Sequence, residues 1–178
     1  MKRILKSKVF LILVITGVGI GLFSLLSGIM KSVKIGEIGY FSFVYGNGSM
    51  INGSVSYTLK LKDGVYTASV KPLYEPEEAT KTFTVDASFA RKLEQLLVQY
   101  KVGKWNGFNK FNKMIMDGDN FGLSVIMTDG TSLDAHGYMK WPKNYSEVRN
   151  GIEELFDRCM AEGIPLNDPD FDQEDGEV

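Results

Sequence analysis

The stretch "SVSYTLKLKDGVYTASVK", residues 54–71, decides the fold. Tyr57, Leu59 and Leu61 before the Asp63-Gly64 pair, and Tyr66, Ala68 and Val70 after it, recur at every second position, the period of a strand with one buried face. Asp-Gly suits a two-residue hairpin loop, whose backbone twist requires positive φ. Such a loop sets Leu61 opposite Tyr66, Leu59 opposite Ala68 and Tyr57 opposite Val70. A slip of one residue would turn these apolar side chains to solvent. An antiparallel hairpin is therefore predicted.

On either side, 40–45 and 80–85 are also rich in aromatic and β-branched residues, and "GNG" and "NG" punctuate the chain between strands. At Asp86 the period changes. Phe89, Leu93, Leu96, Leu97 and Tyr100 share one helical face, Asp86 is suited to the N-cap, and Gly103 is read as the end of the helix. The second half follows the same plan, with strands at 121–127 and 131–138 around "TDGT". A helix then carries Val148, Ile152, Leu155, Phe156, Cys159 and Met160 on one side, with Asn144 and Glu147 at capping-box spacing. At Asp129-Gly130 a two-residue loop would oppose Val125 to Asp134. Including Thr128, with Gly130 left-handed in a bulge, pairs Val125 with Leu133 and Leu123 with Ala135. The expected domain is α+β, a mainly antiparallel sheet with two helices packed on one face, preceded by a transmembrane helix.

That helix is read from residues 9–30, "VFLILVITGVGIGLFSLLSGIM", which contain no charged side chain. At 1.5 Å per residue the run reaches about 33 Å, enough to cross a hydrocarbon core of roughly 30 Å and longer than the core of a cleaved signal peptide. Lys2, Arg3, Lys6 and Lys8 precede it, so a cytoplasmic N-terminus and an extracytoplasmic domain are expected at the cell membrane. The organisation is then a basic segment 1–8, a single-span anchor 9–30, a linker 31–37, a domain 38–162 and an acidic tail 163–178. Gly17, Gly21, Ser24 and Gly28 lie on one stripe of the span, a candidate pairing face for a membrane partner or a second copy. With the single cysteine Cys159 the domain has no internal disulfide and relies on its core. A net charge of −2 excludes a chain basic throughout, and no nucleic-acid partner is expected.

Catalytic motifs fail on geometry. Ser132, Asp134 and His136 are the residue types of a hydrolase triad, but two-residue steps along a strand separate neighbours by about 6.7 Å and the ends by about 13 Å. A nucleophile and its base need about 2.6–3.2 Å. "DGDNFG" (117–122) opens like a calcium loop, yet it has Phe121 at the fifth position and Thr128 at the twelfth, where a bidentate glutamate is required. In the tail, Asp168, Asp170 and Asp172 alternate, but Gln173 stands where the loop needs glycine. Cys159 sits on an apolar helix face and is read as core. No metal or cofactor is called for.

"KWNGFNKFNK" (104–113) sets rings among lysines without an acid. Trp105 and Phe108 flank Asn106-Gly107 and are read as a buried cross-turn pair, with Trp105 covering the end of the first helix. Phe111 has no apolar face to join. With Lys101, Lys104, Lys110 and Lys113 it forms a candidate ligand-binding surface for an anionic envelope polymer or lipid headgroups.

"WNGF" (105–108), then "DGDNFGLSVIMTDGT" and "HGYMKWPKNYSEV", resembles an uncharacterised family of secreted or membrane-anchored bacterial proteins over the C-terminal half. The resemblance implies a shared fold and carries no catalytic residues. Three function classes follow from the sequence. The first is a tethered extracytoplasmic binding or scaffold domain. The others are a glycan-directed surface enzyme using carboxylates such as Asp117, Asp119 and Asp134, and an accessory subunit of a membrane complex.

Overall fold

The computed structural model describes residues 31–46, 53–115 and 117–162. The basic segment, the apolar run with its Gly17, Gly21, Ser24 and Gly28 stripe, and the acidic tail lie outside the described residues. Among the described residues, no helix is long and apolar enough to cross a membrane.

The order along the chain is β1 (Ile38–Gly46), β2 (Val55–Lys62), β3 (Val65–Pro72), β4 (Lys81–Val85), α1 (Ala87–Gln99), β5 (Phe108–Phe111), β6 (Asn120–Met127), β7 (Ser132–Tyr138) and α2 (Tyr145–Glu162). A short 3₁₀ turn, Val102–Trp105, joins α1 to β5. The strands form one seven-stranded sheet in the order β4-β3-β2-β1-β6-β7-β5. All neighbours are antiparallel except β5, which lies parallel to β7 at the edge.

The hairpin register is the one that alternation demands: Leu61 faces Tyr66, Leu59 faces Ala68 and Tyr57 faces Val70. At the second turn Val125 faces Leu133 and Leu123 faces Ala135, with Gly130 at φ +84°. Thr131 N donates to Asp129 Oδ1 at 2.8 Å, which closes that loop with a local side-chain bond.

One face of the sheet presents Phe41, Phe43, Leu59, Ala68, Leu123 and Val125 to the core. The helices cover this face. Phe156 of α2 meets Phe41, Tyr57 and Phe89 at 6.4, 5.1 and 5.1 Å between ring centroids, so sheet and both helices share one cluster. Burial of Leu93 and Leu97, each fully enclosed, stabilises α1 by roughly 1.5–3 kcal/mol per side chain. Asp86 caps α1, accepting from Ser88 N and Phe89 N, and the Ser88 side chain first, then these backbone bonds, hold its carboxyl below the usual carboxylate range.

Two expectations at helix ends are corrected. Gly103 does not end α1; the helix stops at Gln99, and Lys101 takes the left-handed conformation at φ +58°. Gly103 is needed for contact instead, because a Cβ there would run into the carbonyl of Val33. Asn144 does not adopt the extended N-cap conformation. It sits at φ +63°, and its amide donates across the helix pair to Tyr100 O at 3.2 Å. The bond satisfies a carbonyl at the end of α1, so one asparagine ties the finish of one helix to the start of the other.

Residues 33–38 are held against the domain. Val33 N donates to Gly103 O at 2.9 Å, Ile35 packs on the core, Ile38 N donates to Glu94 Oε1 at 3.0 Å, and Thr128 Oγ1 donates to Glu37 Oε2 at 2.9 Å.

Candidate functional site

The aromatic residues of "KWNGFNKFNK" divide as their surroundings dictate. Trp105 and Phe108 are buried and Phe111 is 63% exposed. Trp105 and Phe108 meet through a third ring, each lying 6.1 Å from Phe121. The segment is not merely a connection, since 108–111 form β5. Strand β5 has no sequence signature of its own: four residues carry no readable alternation, and its partner β7 lies more than twenty positions downstream. Gly107 N donates to Asp134 O at 2.8 Å, and Phe111 stacks on Tyr138 at 4.5 Å.

The lysines also divide. Lys101 and Lys104 line a hollow of about 280 Å³ together with Lys34, Val33 and the 56% exposed Val98. Lys110 lies in β5, its Nζ 5.4 Å from the Phe108 centroid, and neither it nor Phe111 nor Lys113 lines that hollow. The structure thus brings Lys101 and Lys104 to a third lysine, Lys34, that the sequence reading had assigned to a linker.

A second and larger concavity, about 410 Å³, opens where the end of β1 meets the start of β6 beneath the first turn of α2. Tyr45 and Gly46 come from β1, Asp119 and Asn120 from the entry to β6, and Trp141, Tyr145 and Arg149 from the approach and first turns of α2. Its aromatic wall is layered. Trp141 stacks on Tyr145 at 4.5 Å and 21°, Tyr145 lies 4.9 Å from Phe121, and Trp105 closes the back at 6.3 Å from Tyr145. Trp105 Nε1 donates to Lys143 O at 3.1 Å and so fixes the loop that carries Trp141.

The polar wall is charge-balanced. The Arg149 guanidinium lies 3.9 Å from the Tyr45 centroid and pairs with Glu153 Oε1 at 2.8 Å. Burial works against the Arg149 charge, but the bonds and charges of Glu153 and Tyr45 together outweigh it and raise the pKa further. Burial likewise pushes the Tyr145 hydroxyl well up; Arg149 opposes that shift and Asp119 adds to it. The hydroxyl stays protonated, able to donate. Ser54 Oγ is buried with no hydrogen-bond partner among the described residues. It lies 3.1 Å, and Asn120 Nδ2 3.2 Å, from where a Cβ on Gly46 would sit.

Ser132, Asp134 and His136 occupy alternate exposed positions of β7, on the side of the sheet away from the helices. Of the three carboxylates considered for glycan chemistry, Asp119 lines the cleft, Asp134 faces outward on β7, and Asp117 is not among the lining residues. Among the described residues, no three His, Cys, Asp or Glu side chains converge as a metal site. Cys159 is buried.

Trp141, Tyr145, Arg149 and Glu153 were not singled out by the sequence reading. Tyr145, Arg149 and Glu153 lie at a spacing of four on α2, beside its apolar stripe, whereas Trp141 precedes the helix and the left-handed Asn144 stands between them. No family model and no curated protein matches this chain.

Proposed function

We propose that the chain is a membrane-tethered extracytoplasmic binding domain, anchored by residues 9–30, whose basic hollow engages anionic headgroups or envelope polymer weakly. The observation that carries this reading is the bond from Val33 N to Gly103 O. Only Lys31 and Ser32 stand in sequence between the apolar run and this first docked residue. Lys34 of the hollow thus follows the apolar run closely in sequence, Lys101 and Lys104 join it within the domain, and Val98 adds an exposed apolar contact. Clustered lysines favour an anionic surface through a long-range attraction that salt screens. The β5 edge, with Lys110, Phe111 and Lys113, extends the basic character.

Topology is tested first. A reporter active only in the cytoplasm, fused after Val178, is expected to be silent, and strong activity would refute the orientation. The polyanion interaction is expected to weaken with salt, since exposed charges are screened beyond about 8 Å at physiological ionic strength.

A further inference from the structure

Two hollows differ in what they offer a ligand, and only the first is explained by the proposed tether. The cleft of Trp141, Tyr145 and Arg149 has no surplus cation to hold an anion, because Glu153 neutralises Arg149 and Asp119 adds a carboxylate. It does have a ring stack left 38% exposed at Trp141, and planar polar groups in Asn120, Asp119 and Arg149. Its volume of about 410 Å³ falls in the range, roughly 300–1,000 Å³, of small-molecule clefts.

We propose that this cleft is a binding site for a neutral saccharide chain, one pyranose ring lying against Trp141 while its hydroxyls bond to Asn120, Asp119 and Arg149. A pyranose presents a face of C–H bonds with partial positive charge, which matches the negative face of an indole ring. Its rim of hydroxyls, each donor and acceptor, suits a carboxylate, a carboxamide and a guanidinium arranged around the ring. A purely apolar ligand would use only the Trp141 face, and a polyanion would meet the Asp119 carboxylate with no surplus cation to balance it. A single sugar ring with its hydroxyls satisfies both walls.

This inference does not depend on the anionic-surface reading, and salt separates the two. The full chain, kept free of sugar-headed detergents, is titrated with the tetrasaccharides of N-acetylglucosamine and of glucose, followed by calorimetry and tryptophan emission. Trp105 is only 3% exposed, so a change in emission on binding reports Trp141. The expected result is saturable binding of at least one tetrasaccharide, unchanged at high salt, with emission shifted. Trp141→Ala is expected to weaken it about tenfold or more. Asn120→Ala, at an exposed strand end where folding is undisturbed, is expected to weaken it by a similar factor while thermal unfolding stays the same. Three results would overturn the proposal: no saturable binding of either sugar, affinity that survives in both variants, or binding abolished by salt.

Discussion

The basic hollow and the aromatic cleft are built in opposite ways. At the hollow a backbone bond, Val33 N to Gly103 O, holds the shape, and the flexible side chains of Lys34, Lys101 and Lys104 surround it. At the cleft the side chains themselves are the scaffold: Trp105, Phe121, Tyr145 and Trp141 lean on one another, and Arg149 is held by both Tyr45 and Glu153. Charge on mobile stems suits a diffuse, screened, shape-independent anion. Rings and paired charges locked in place suit a ligand of defined shape. On the proposed readings the first hollow would attract and the second would recognise.

The largest expected effect lies where the cleft is rooted in the core. Trp105→Ala empties a site 3% exposed, and a loss of about 3–5 kcal/mol in unfolding free energy is expected from denaturant titration. Tyr145 and the Lys143 carbonyl lose their support in the same variant, so the proposed saccharide binding is expected to be lost while the lysines remain in place.

Gly103→Ala is the corresponding test of the hollow. Its Cβ collides with the Val33 carbonyl, and the expected cost is about 1–3 kcal/mol, the range for overpacking. Hydrogen exchange should show the amide of Val33 losing protection while the β2–β3 hairpin keeps its own. Equal protection at Val33 in both proteins would separate the hollow from Gly103.

Trp141→Ala should cost less, about 0.5–1.5 kcal/mol, the worth of one aromatic pair at a half-exposed position. Charge reversal at Lys101 and Lys104 should change stability by under about 0.5 kcal/mol and remove anion binding. His136→Ala and Ser132→Ala, on the exposed side of β7, should also stay within about 0.5 kcal/mol and leave both proposed interactions unchanged.

How much of this was legible follows from the range of the interactions. The Asp63-Gly64 hairpin could be read to the residue, because a local turn and a period of two determine it together. The bulged turn at Gly130 was equally readable, since the alternative register would have put Asp134 in the core. Strand β5 was not, because it forms only when β7 is already in place. Gly103 was assigned to helix termination when its reason is a backbone brought from seventy positions upstream. The candidate lysines show the same limit. Lys101 and Lys104 were noted together, but Lys34 joins them only through the docking of 33–38, and Lys110 and Lys113 go to a different edge. The cleft was missed because the stacking of Trp141 on Tyr145 needs Phe121 and Trp105 behind them, both distant in sequence.

The most direct test of the tethered binding domain uses Val98→Cys in the full chain, carrying an environment-sensitive fluorophore. Cys159 is buried, so the label goes to the introduced cysteine. In lipid nanodiscs the emission is expected to shift to the blue when anionic lipid replaces zwitterionic lipid. High salt, or charge reversal at Lys101 and Lys104, should return it to its original position. Emission indifferent to lipid charge and to salt would contradict the account, because the hollow beside the tether would then meet no anionic surface.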